Sequence, residues 1–158
     1  MRVAIVADSL RTGGSERHMI GLAAGPAGLG HQVGVVRSAG GDLRAQLDGI
    51  GVPVVVLGRR AVRRRLSPLP TVRLWRQLRR MRPDVVHAHQ VAGALAALVA
   101  GAALSVPVVV TEHTMATWHG RWARHWRRRL YRYAARCIAV SQPIGRERRY
   151  FRTLYDFR

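Results

Sequence analysis

The sequence predicts an α/β domain of three layers, with a mainly parallel sheet of about six strands covered by helices on both faces. Two observations carry this. Short valine-rich runs recur along the chain: RVAIVA, HQVGVVR, VPVVVLG, PDVVHAH, VPVVVTEH and CIAVS. They are nearly continuous in apolar residues rather than alternating, as in strands buried on both faces. Helical or glycine-bounded segments separate them, and strands that alternate with helices build parallel sheets.

The first strand covers residues 2–7 and runs into DSLRTGGSER, residues 8–17. A glycine pair lets the backbone take positive φ and lets a ligand approach it closely. Ser15 reads as the N-cap of a helix over 15–24, ending near Gly25 and Pro26. A second strand over 31–37, a short helix within 40–51 and a third strand over 52–58 follow. Leu74, Leu78 and Met81 recur at helical spacing within a helix over 68–82. Pro83 opens a fourth strand, 83–89; then come an alanine-rich helix (91–104), a fifth strand (106–113), a helix (120–137) and a sixth strand (137–141). Residues 91–110 carry no charge and nominally have the length of a bilayer span. Alanine and glycine make their transfer energy weak, and Pro107 divides them, so a buried helix followed by a buried strand is expected.

At 158 residues, 48% of them apolar, the chain has the material for one domain with a sizeable core. All 27 basic residues are arginine, against 8 acidic ones, giving a net charge of +19. Such a charge favours anionic partners: phosphates, nucleic acid or an acidic membrane surface. The single cysteine, Cys137, builds neither a disulfide framework nor a cysteine zinc site, which fits a cytoplasmic location. The apolar stretch of MRVAIVADSL is too short for a signal peptide, and Asp8 interrupts it.

In open parallel sheets ligands bind beyond the carboxyl ends of the strands. Four groups fall there: Asp8 to Ser15, His87 with His89, Glu112 to Thr114, and Ser141. TGGSER lacks the spacing of a dinucleotide fingerprint and the lysine of a Walker loop. Its free N–H groups and helix dipole suit a phosphate, and its spacing fits an unliganded tight turn equally well. His87 and His89 share a strand face. With His113 they could ligate a metal, but no carboxylate pair accompanies them, so a polar pocket rim is expected and no metal. A neutral His113 could donate a hydrogen bond or stabilise developing charge, though a lone histidine is more often structural. At about 100° per residue, Trp122, Trp126, Leu130, Tyr133 and Cys137 fall within roughly an 80° arc. That stripe is expected to pack on the sheet. Arg121, Arg124, Arg127, Arg128, Arg129, Arg132 and Arg136 would form a solvated basic back. With Arg59, Arg60 and Arg63 to Arg65, they suggest docking on anionic lipid or another polyanion.

Taken in order, the first strand with TGGSER, then GHQVGVV, GVPVVVL, RPDVVHAH, VPVVVTEH and CIAVS resemble the N-terminal domain of the glycosyltransferases of family 4, over roughly residues 1–142. The resemblance implies a Rossmann-like domain, one half of a GT-B fold whose two domains face a cleft. It implies sugar transfer from a nucleotide-sugar cosubstrate with retention of configuration, without metal or other cofactor, and acceptor binding by this domain. It gives His113 the catalytic role and places Gly13 and Gly14 at the donor's diphosphate and sugar; Glu16 and Arg17 continue the motif, and Arg17, with Ser15, His89, Glu112 and Thr114 of the strand-end rim, completes the expected substrate-binding residues. Members sit on membranes through basic and aromatic patches. By this resemblance Arg121, Trp122, Arg124, Trp126 and Arg128 form a membrane-facing surface on a cytoplasmic protein peripheral to the inner face.

Two departures shape the expectation. GLAAGPAGLG replaces a smooth helix, so the first helix should be short or broken. After AVSQPIGRE the pattern stops, so residues 143–158 read as an atypical tail, as in a truncated or frameshifted chain, without the donor-binding domain. The expected function is the acceptor-binding half of a glycosyltransferase, inactive alone: either a gene fragment or a half completed by a separately encoded donor-binding domain. The alternative is a basic module for anionic membrane or nucleic acid without transferase activity. Nucleic acid is the lesser expectation, because no recognised nucleic-acid motif accompanies the charge.

Overall fold

A computed structural model describes residues 1–7, 14–38, 44–58, 68–113 and 120–146. Six strands, β1 (Arg2–Ala7), β2 (Gln32–Arg37), β3 (Val54–Val56), β4 (Val85–His89), β5 (Val108–Glu112) and β6 (Arg136–Ala139), form one sheet. Every pairing is parallel, in the order β3-β2-β1-β4-β5-β6. The helices are α1 (Gly14–Gly28), α2 (Arg44–Gly49), α3 (Leu69–Met81), α4 (Val91–Leu104), α5 (Arg121–Leu130) and α6 (Gln142–Arg146); a 3-10 turn, Tyr131–Tyr133, follows α5.

Strand alternation divides the interior into two cores. Ile5, Ala7, Val33 and Val35 face α1 and α2, packing with Met19, Ala23 and Leu47. Ala4, Val6, Val36, Val86, Ala88, Val108 and Val110 face the other way, onto Leu74 and Leu78 of α3, the alanines of α4, and Tyr131. This is the Rossmann-like architecture the runs predict. Strand order reverses between β1 and β4, and the crevice beyond such a switch is where open α/β sheets bind ligands.

The uncharged segment 91–110 divides as expected. It forms α4, largely buried, then β5, and no helix among the described residues is long and apolar enough to cross a membrane. Gly101 shows why alanine and glycine dominate α4. A Cβ there would meet Val108 Cγ2 and sit 2.9 Å from the Val106 carbonyl oxygen, so only glycine lets the helix lie this close to β5.

Two helices differ from expectation. Instead of stopping near Gly25, α1 runs to Gly28 with Pro26 inside. Pro26 sits in the last turn, where it removes one helix amide, and its own carbonyl accepts from Leu29 N and His31 N. The helix expected over 120–137 ends at Leu130; the 3-10 turn follows, and Ala134 is already extended. Helix α6 spans Gln142–Arg146 and buries Ile144.

Candidate functional site at the sheet switch point

The switch point collects histidines from three elements. His87 and His89 come from β4, His113 from the end of β5 and His18 from the first turns of α1. His87 and His89 stack with centroids 4.6 Å apart, as period-two alternation requires. His89 Nδ1 lies 3.1 Å from His113 Nε2, and His87 Nε2 lies 2.7 Å from the Thr111 hydroxyl. His18 closes the group, its ring 5.4 Å from His113 and 6.2 Å from His89.

Burial sets the charge of these rings. Desolvation, reinforced by the neighbouring imidazoles, pushes His87 down to about 4 and His89 to about 2. Desolvation and His18 lower His113 as well, with Glu16 opposing. His87 and His89 are therefore neutral at pH 7. Neutral imidazoles can donate from one nitrogen and accept at the other, so the group can relay hydrogen bonds to a ligand hydroxyl. Among the described residues no group of three histidine, cysteine, aspartate or glutamate side chains is arranged to hold a metal ion.

The start of α1 is tied to the same rim. Gln90 Nε2 donates to Ser15 Oγ and to Glu16 Oε1, both at 3.2 Å, and Ser15 Oγ donates to Glu16 Oε2 at 2.6 Å. Gln90 holds φ 66° and ψ 158°, a region that glycine alone enters readily, at a cost of roughly 1–3 kcal/mol. Such strain concentrates at binding sites. Ser15 is not the cap that the sequence suggests, because the helix already begins at Gly14. A Cβ on Gly14 would meet nothing within 4 Å, so the protein itself does not require glycine there.

Residues 12–154 match the family described as Glycosyltransferase Family 4. The chain belongs to this family. No curated protein sequence matches it significantly. Among solved structures it resembles Anabaena Alr3699/HepE in complex with UDP and glucose, with a TM-score of 0.81 at 19% identity, covering 98% of this chain and 43% of that one. It also resembles a glycosyltransferase from Rickettsia africae (TM-score 0.75, 18% identity, covering 92% and 38%) and Acinetobacter baumannii MurG (0.63, 20%, covering 87% and 40%). The family-4 chain thus spans about two fifths of the solved chains it matches.

Of the residues expected at the substrates in this family-4 domain, Gly14, Ser15, His89 and His113 meet at the switch point. Arg17 lies on α1 and is exposed. Gly13 and Thr114 lie outside the described residues. Glu112 is a correction. Alternation sends it to the opposite sheet face from Thr111 and His113, where it is fully buried. There its Oε1 accepts from the Tyr131 hydroxyl and pairs with Arg127 Nε at 3.7 Å. Glu112 therefore anchors α5 and the following turn rather than facing the rim.

The aromatic stripe of the 120–137 segment is corrected by the same cluster. Arg127, expected in solvent, is wholly buried with Glu112, while Trp126 is 37% and Tyr133 63% exposed. A buried carboxylate draws one arginine inward, and the early end of α5 rotates Tyr131, not Tyr133, onto the core. Arg121, Arg124, Trp126 and Arg128 remain along α5, with Arg124 partly buried and the others exposed. Trp122 lies on the same helix; its side chain, and Arg59, Arg60 and Arg63 to Arg65, are outside the described residues.

His18 and Gln90 belong to the site and were not singled out from sequence. His18 had a signal: it stands three residues after Ser15, on one helix face. Gln90 is the first residue beyond β4, at the same strand end as His89.

Proposed function

We propose that this chain is the acceptor-binding half of a retaining, nucleotide-sugar-dependent glycosyltransferase, and that transfer requires a donor-binding half. The observation that carries the reading is His113 at the β5 rim, its neutral imidazole braced by His89 and 5.4 Å from the ring of His18 in the first turns of α1. A donor sugar beside Gly14 would bring a hydroxyl within reach of that ring. His113 would then hold the hydroxyl by a hydrogen bond and stabilise charge as the sugar leaves its phosphate. Retention is taken from the family resemblance. The UDP-sugar class of donor is suggested by the UDP and glucose named for the Anabaena relative. Stabilising both sides of a developing charge needs groups from a second domain, and the chain spans about two fifths of such enzymes.

The purified 158-residue chain with millimolar UDP-glucose should show no turnover above a protein-free blank. The imidazole signals of His113 and His18 should nevertheless shift, and Gly14→Ala should weaken that response while leaving thermal stability unchanged or slightly raised. Sugar release by the chain alone would refute the half-site. Unmoved histidine signals would refute the site.

The exposed arginines of α3 and α5 favour a second role on the same molecule, peripheral docking on an anionic membrane. A donor-binding half, on this polypeptide or another, is what this reading calls for.

A further inference from the structure

Arg37 ends β2 after four apolar or glycine positions and is only 2% exposed. Its Nε and Nη1 are buried without a hydrogen-bond partner among the described residues. Burial opposes its charge most and Arg44 adds like charge; Asp48 on α2 favours the charge only from a distance, its carboxylate being bonded to Arg44 at 3.3 Å. Breaking a buried cation's pairing is costly, so an arginine kept in this state points to an anion from outside the chain.

The sheet register says where that anion would sit. Arg37 pairs with Ala7, and Val6 with Ala88, so Arg37, Ala7 and His89 form one row across β2, β1 and β4. In-register neighbours of a parallel sheet share a face, here the face of α1 and α2. Arg37 and His89 therefore flank the small Ala7 at two strand spacings, roughly 10 Å. The row ends at the switch point. His89 Nε2 is a further buried polar atom there without a hydrogen-bond partner among the described residues; its Nδ1 is engaged by His113. A cationic fork on one side and an imidazole nitrogen on the other suit an oxyanion.

We propose that Arg37 and His89 form a subsite for a phosphoryl group carried by the acceptor. Only the word acceptor rests on the glycosyltransferase reading; the subsite rests on the row. An oxyanion accepting from Arg37 also fixes His89 as the Nε2–H tautomer. His89 Nδ1 then accepts from His113 Nε2–H, which leaves His113 Nδ1 as an acceptor for a substrate hydroxyl. Filling the subsite would thus orient the histidine that the proposed transfer uses.

The test titrates the purified chain with inorganic phosphate, glycerol 3-phosphate and UDP, reading the imidazole nitrogens by NMR. Phosphate and glycerol phosphate should saturate and convert His89 to the Nε2–H form. Arg37→Met should weaken both by about tenfold or more. Arg82→Gln, an exposed substitution just after α3, should leave both unchanged. Arg37→Lys, which keeps the buried charge but loses the fork, guards against misfolding and should bind with intermediate affinity. Equal affinity in the parent and both Arg37 variants, with His89 unmoved, would mean an adventitious ion only and would overturn the subsite. Response to UDP alone, lost in Arg37→Met, would overturn the assignment to the acceptor. Either failure leaves the UDP-glucose response of His113 to stand or fall by itself.

Discussion

His87 and His89 are histidines that resist protonation. An imidazole in water titrates at 6.5; burial and neighbouring rings hold His87 near 4 and His89 near 2. His18 and His113 both disfavour the charged form of either ring, and His87 disfavours the charge of His89 where the two stack. A depressed histidine leaves the unfolded chain binding more protons than the folded one between the two pKa values. Stability is therefore fully present above about 6.5 and falls as pH drops toward 4, by roughly 1 kcal/mol per pH unit for each ring. Thermal unfolding followed from pH 7 to 4.5 should show a steep fall in Tm, with close to two protons taken up on unfolding near pH 5. His87→Gln should remove about half of the slope. A flat profile would contradict the burial of this pair. At this scale the sequence was informative about direction and silent about depth. The HAH spacing placed two rings on one face, but only the covering helix, with His18 on it, makes them neutral.

At the scale of elements, α5 is fastened to β5 by charge. Arg127 and Tyr131 both reach Glu112 inside the core, and burial next to that carboxylate pushes the Tyr131 hydroxyl well above its usual range. Removing one member of a buried ion pair leaves the other stranded, so Arg127→Met should cost about 3 kcal/mol or more. Tyr131→Phe, which deletes one hydrogen bond to the same carboxylate, should cost about 1–3 kcal/mol. Arg129→Gln, exposed two residues beyond Arg127, should cost almost nothing in the same urea titration. Equal effects at 127 and 129 would remove the argument. The strands were legible because valine runs have one reading when helices separate them. The helix ends were not. The angular count over 120–137 assumed one continuous helix, and its early stop at Leu130 shifted every residue after it. No periodicity could reveal that Glu112, alternating away from His113, would pull an arginine into the core.

Across the whole molecule the charge is organised by the layers. Packed side by side on one sheet face, α3, α4 and α5 put the small exposed residues Ala92, Val99, Ala102 and Ala103 between two arginine rows. Arg73, Arg76, Arg79 and Arg80 stand on one side; Arg121, Arg128 and Arg129 on the other. The Arg79 guanidinium lies 5.4 Å from the centre of the Trp75 ring, and Trp126 is part-exposed beside the second row. The switch-point histidines face the α1 side, so a surface docked on this layer leaves the candidate site open. Arginines near an anionic surface contribute about 1 kcal/mol each. The chain should therefore bind vesicles containing phosphatidylglycerol and not neutral ones, with affinity falling steeply as salt rises. Arg79→Gln with Arg80→Gln removes two contacts of one row, and Arg121→Gln with Arg129→Gln two of the other. Each pair should lower vesicle affinity by roughly thirtyfold, about 2 kcal/mol, without moving Tm. Because the rows flank one surface, the two losses should combine. If only one pair matters, docking uses an edge and not the layer; if DNA binds with the stronger salt dependence and both pairs weaken it equally, the arginine rows serve nucleic acid and the membrane reading falls.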